Sequence, residues 1–151
     1  MKANPETGDF FLPNGMTLGR GTSLADFFAA KGEWEISWAN QNENWRSFQL
    51  KKSGEPFVVS VFFQDEMLKI LEFTAADAEF GTTWDDWSLE HEMARKRKND
   101  TWLVSQGFSE NESYSWGQIR SVYDSKSGGS FITVQYAPAA GSKSEMEPSI
   151  N

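Results

Sequence analysis

Residues 46–73 read RSFQLKKSGEPFVVSVFFQDEMLKILEF, and they decide the fold. Phe57 to Phe63 is strongly β-prone through Val58, Val59 and Val61, and Met67 to Phe73 alternates through Leu68 and Ile70. Runs of this length separated by Gly, Pro, Asp and Asn read as strands joined by turns. One turn falls at Lys52-Ser53-Gly54-Glu55-Pro56 and the next at Gln64-Asp65-Glu66. The result is an antiparallel meander.

Upstream, Trp34, Ile36 and Trp38 alternate with Glu33, Glu35 and Ser37, and Ala39 to Asn44 reads as a polar turn. A short helix precedes them. Thr22 or Ser23 can cap it, Leu24, Phe27 and Phe28 share a face, and Gly32 can end it. Residues 1–10 read as frayed, and 11–18 as a short strand or turn around Asn14-Gly15. Downstream, residues 75–83 read as a loop and Asp86 to Gln106 as a long helix. Asp85, Asp86 or Ser88 can cap that helix. Glu90 and Glu92 favour its N-terminal dipole, and Glu92 can pair with Lys96 at i+4. Leu89, Met93 and Leu103 form one apolar stripe, and Asn99-Asp100-Thr101 offers a break. Two strands follow, Tyr114 to Tyr123 and Phe131 to Tyr136. Residues 1–137 therefore read as one domain and 138–151 as a disordered tail.

An internal match runs through this layout. RSFQLKKSGEPF at 46–57 and RSVYDSKSGGSF at 120–131 align without a gap, with Arg46/Arg120, Lys52/Lys126, Gly54/Gly128 and Phe57/Phe131 among the identities. Upstream, at an offset of 75 instead of 74, Phe27/Trp102 and Gly32/Gly107 correspond, so each copy would be a helix, a Gly stop and a hairpin. The expected fold is α+β. It has an antiparallel sheet of about six strands with a short and a long helix on one face. The other face would be partly exposed and lined by Trp38, Trp45 or Trp116.

The 151 residues carry 14 basic and 22 acidic side chains, a formal net charge of -8. Four of the basic residues are Arg95-Lys96-Arg97-Lys98, which leaves 10 basic against 22 acidic elsewhere. Such a surface repels phosphate backbones and attracts basic partners, so a protein partner is expected and nucleic acid is not. Without Cys there is no disulfide or thiolate metal site. Neither a signal peptide nor an apolar run of about 20 residues stands out, which points to the cytoplasm and away from membranes.

Catalytic patterns are absent. The single His is His91, no G-x-S-x-G elbow exists, and Gly19-Arg20-Gly21 is too short for a phosphate loop. His91-Glu92-Met93-Ala94-Arg95 starts like H-E-x-x-H but has Arg at the second His. The Asp85–Glu92 acids serve capping better than a metal. No catalytic residue, metal ligand or cofactor is assigned. Carboxylate pairs with surface Trp would also suit a carbohydrate-binding or glycoside-hydrolysing domain, the alternative reading. Asn111-Glu112-Ser113 is a formal glycosylation sequon.

The least generic segment is Trp84-Asp85-Asp86-Trp87-Ser88-Leu89-Glu90. As structure it is a helix cap with two Trp packed on a sheet. As function it is an acidic-aromatic patch for a basic residue of a partner. The partner-binding set is Trp84, Asp85, Asp86, Trp87, Glu90, Trp116 and Trp38. Gly117 after Trp116 suggests a bulge or a close approach.

Trp84 to Tyr136, with WDDWS, Glu90, Glu92, YSWG at 114–117, Tyr123-Asp124 and Lys126-Ser127-Gly128, resembles a small uncharacterised bacterial single-domain family. In size, acidity and lack of Cys the chain is similar to cytoplasmic immunity proteins of bacterial toxin systems. That resemblance implies a non-enzymatic inhibitor that blocks a partner toxin by occlusion. The tandem layout also resembles beta-lactamase-inhibitor-like folds, in architecture alone.

Overall fold

The computed structural model describes residues 1–77, 80, 84–109 and 113–138, apart from the Asn14 side chain. The expected tail from 139 onward, much of the 75–83 loop and the first two sequon residues lie outside these. The fold is α+β. Strands β1 (Lys2–Asn4), β2 (Asp9–Phe11) and β3 (Thr17–Leu18) form a small antiparallel sheet, followed by helix α1 (Leu24–Ala30). Strands β4 (Glu35–Asn42), β5 (Trp45–Lys51), β6 (Phe57–Gln64) and β7 (Met67–Ala75) make the meander. Helix α2 (Leu89–Ser105) then leads into β8 (Ser113–Tyr114), β9 (Gly117–Asp124) and β10 (Gly129–Tyr136). The main sheet has seven strands in the order β4-β5-β6-β7-β10-β9-β8, so β7 is its middle strand.

Alternation along the meander decides what is inside. Phe48 and Leu50 of β5, Val59, Val61 and Phe63 of β6, and Leu71 and Phe73 of β7 are buried on one face. Ile119, Ile132, Val134 and Tyr136 continue that face across β9 and β10. Both helices and the small sheet cover it. Phe27 of α1 meets Phe48 and Phe63, with ring centres 5.6 and 5.3 Å apart. Trp102 of α2 stands edge-on to Phe73 at 5.0 Å. Phe10 of β2 packs on Phe73 at 5.4 Å.

Local chemistry explains the boundaries. The Ser23 hydroxyl accepts from the Asp26 N–H while the Asp26 carboxylate accepts from the Ser23 N–H, a reciprocal cap on α1. Asp65 and Glu66 both take positive φ (51° and 65°), as the two-residue turn between β6 and β7 requires. The strand β4 runs on to Asn42, where a turn was expected from Ala39, and the chain reverses only at Glu43-Asn44.

Several expectations are corrected. Residues 1–10 are not frayed. The Gln106 side chain accepts from the Ala3 N–H at 3.0 Å, and the Trp116 indole donates to the Pro5 carbonyl at 2.8 Å. The buried Tyr136 hydroxyl donates to the Gly8 carbonyl at 2.8 Å. Burial, helped by nearby Asp9, holds this phenol above its usual range. Helix α2 passes through Asn99-Asp100-Thr101 without a break, because buried Asn99 turns its side-chain oxygen toward the Ala75 N–H. Lys96 pairs with Asp100 at 3.1 Å, while Glu92 pairs with Arg95 at 3.4 Å. Leu89, expected in the buried stripe, is exposed.

The internal match holds at its turns and fails in its facing. Gly54 and Gly128 both adopt positive φ (85° and 71°) in hairpin turns. Phe57, however, packs on Phe73 and Trp102 in the core, whereas its aligned partner Phe131 pairs with Val122 on the opposite face. A one-residue shift of register exchanges the faces of a strand. The gapless alignment therefore equates turns and not side-chain environments.

Candidate functional site

The segment Trp84–Asp86 forms a single 3₁₀ turn ahead of α2, and Ser88 caps the helix by accepting from the His91 N–H at 3.0 Å. The Trp87 indole donates to the Gly128 carbonyl at 2.8 Å, which ties the helix entrance to the β9–β10 turn. The His91 ring nitrogen Nδ1 lies 3.2 Å from the Asp86 carbonyl. Trp84 is 77% exposed, and Asp85, Asp86, Trp87, Leu89 and Glu90 are exposed around it. Two indoles and three carboxylates thus share one solvent-facing end of the fold, on a fixed backbone.

The other two predicted residues lie elsewhere. Trp38 is 52% exposed on β4, at the far edge of the main sheet. Trp116 is a correction. It is 2% exposed, between Tyr114 and Tyr136 in the core, and does not line the open face. Its placement follows from Gly117, whose φ of 145° turns the chain between β8 and β9. The Gly117 carbon faces the Gln135 carbonyl so closely that a Cβ would stand 2.1 Å from that oxygen. The close approach expected at Gly117 is present; its consequence for the Trp before it needs the fold.

The open face of the main sheet is a surface that the sequence reading described only by its Trp residues. Trp38 pairs with Gln49, Gln49 with Ser60, Ser60 with Glu72, Glu72 with Thr133 and Thr133 with Arg120. Residues in register across strands share a face, so these six cross the sheet in one row. Phe62 and Ile70 pair in the next row on one side, Phe131 and Val122 in the row on the other. Burial raises the Glu72 carboxyl above its usual range, and a hydrogen bond from Thr133 partly opposes this. The signal for Glu72 was the alternation of β7, which puts Ile70, Glu72 and Thr74 opposite the core. Among the described residues, no group of three or more His, Asp or Glu is arranged to hold a metal ion. No described helix is long and apolar enough to cross a membrane.

No family model matches the chain, and no curated protein matches it in sequence. Among solved structures, it is similar to a chain of Rhs1-CT in complex with cognate immunity protein RhsI1. The identity is 17%, the TM-score 0.60, and the match covers 99% of this chain and 94% of that one. At this identity the likeness is one of fold, extending over the whole chain.

Proposed function

We propose that this protein is a non-enzymatic binding module of the immunity type, a cytoplasmic inhibitor that occludes a basic surface of a partner protein. The observation that carries the reading is the Trp84–Glu90 end, where Trp84, Asp85, Asp86, Trp87 and Glu90 are exposed together on a capped, indole-tethered helix start. Trp suits the centre of an interface, and carboxylates around it steer a cationic partner into place. A net charge of -8 extends that steering beyond contact distance. The whole-chain fold likeness to a member of an immunity complex supports the same reading. Residues 1–137 act as one domain in it.

The test is calorimetric titration of the purified chain with the product of the adjacent gene. Asp85→Lys with Asp86→Lys should weaken binding by about tenfold or more at low salt, through a slower association rate. The fold should persist, since both side chains are exposed. Unchanged affinity of the double variant would remove the patch from the interface.

A further inference from the structure

We propose that the open face of the seven-stranded sheet is a second docking surface, on which an extended apolar segment of a protein partner lays one arginine or lysine against Glu72. The proposal rests on the protein-binding reading and adds to it a surface and a partner chemistry. Glu72 sits on β7, with three strands on either side of it. It is flanked across the sheet by Ser60 and Thr133, and along its own strand by Ile70 and Thr74. The central carboxylate is therefore set among hydroxyls and apolar side chains.

The nearest basic residue in its row, Arg120, is two strands away, which is roughly 10 Å at ordinary strand spacing. That spacing is between backbones; among the described residues no ion pair joins the Arg120 guanidinium to the Glu72 carboxylate. A half-buried carboxylate without a close cation favours one that arrives with the ligand, and burial of the pair by flanking apolar residues strengthens it. The guanidinium fork of arginine matches a carboxylate best. Phe62 and Ile70 on one side, with Phe131 and Val122 on the other, supply the apolar frame. A second copy of this chain is a poorer occupant, because a twofold contact centred here would bring Glu72 against Glu72.

The experiment is a titration of the isotope-labelled full chain with a blocked pentapeptide, arginine between two pairs of valine and serine, followed by amide resonances. The same peptide with citrulline removes the charge and keeps the shape. We expect the arginine peptide to shift the amides of Ser60, Glu72 and Thr133. Glu72→Gln should weaken it about fivefold or more, as expected for loss of a charge-assisted bond. Asp85→Lys with Asp86→Lys should leave these shifts in place. The proposal fails if the two peptides bind alike, if the Glu72→Gln chain binds as wild type, or if no amide of this row moves at millimolar peptide. Thr133→Val keeps the carboxylate and should keep the arginine preference; loss of preference there with a dispersed native spectrum would also overturn it. Failure here with intact binding of the adjacent-gene product removes only the sheet-face site. Success here with no such partner binding separates the two in the other direction.

Discussion

The Ser130 backbone N–H donates to the Glu92 carboxylate at 3.0 Å, and the Ser130 hydroxyl donates to the Glu92 carbonyl, also at 3.0 Å. Both residues are buried, and Arg95 completes the arrangement 3.4 Å from the other carboxylate oxygen. Helix α2 is thereby fastened to β10 through a charged group. Removing one partner of a buried pair leaves the rest uncompensated. Glu92→Ala should cost about 3 kcal/mol, read by urea denaturation. Glu92→Gln keeps an acceptor for Ser130 and should cost less, about 1–2 kcal/mol. Equal losses for the two variants would show that the charge on Glu92 does the holding.

Gly117 leaves no room for a side chain against the Gln135 carbonyl, and its φ of 145° is strained for any other residue. Gly117→Ala should destabilise the fold by about 3 kcal/mol or more, from clash and strain together. Loss of the buried Trp116 environment, seen as a red shift of indole emission at equal denaturant, should accompany it.

The indole of Trp87 is half of a single bond to the Gly128 carbonyl. Trp87→Phe keeps most of the ring and deletes the donor, so a stability loss of about 1 kcal/mol is expected. Amide exchange should speed up at the start of α2 and in the β9–β10 turn. Exchange unchanged at both places would argue that the Ser88 cap alone fixes the helix entrance.

Glu72 supplies a pH test of the open face. Its folded pKa lies above the ordinary 4.5, so the folded state takes up a proton more readily than the unfolded chain. The associated stability is present below 4.5 and is lost as pH rises through the raised value. Glu72→Gln should therefore melt higher than wild type at neutral pH, with the gap narrowing as pH falls through the raised value and closed by about 4.5. A gap independent of pH would assign the gain to packing instead.

Local chemistry made most of the fold legible. Alternation in 57–63 and 67–73, the Ser23 cap and the two Lys-Ser-Gly turns are short-range patterns, and the structure follows them. What was hidden depends on partners far along the chain. Ala3, Pro5 and Gly8 are ordinary until Gln106, Trp116 and Tyr136 bond to them. Asn99 looks like a helix breaker until Ala75 presents its N–H. The internal match showed identities but not phase, so it could not reveal that Phe57 and Phe131 face opposite ways. Of the candidate patch, the place of the two Asp at a helix start was legible, but the helix-cap reading packed Trp84 on the sheet, whereas Trp84 is 77% exposed. The burial of Trp116 was hidden too, because it follows from the backbone turn at Gly117.

The bonds from Ala3, Pro5 and Gly8 to Gln106, Trp116 and Tyr136 span 103 to 128 residues of sequence. Loops that long close late, since their entropy is lost before any contact rewards it. During synthesis, Ala3, Pro5 and Gly8 would wait for more than a hundred further residues before settling. Until then, Phe10 and the Phe73–Trp102 surface that it covers would stand open. The chain's exposure to proteases and to misassociation thus lasts until Gln106, Trp116 and Tyr136 have been made and docked.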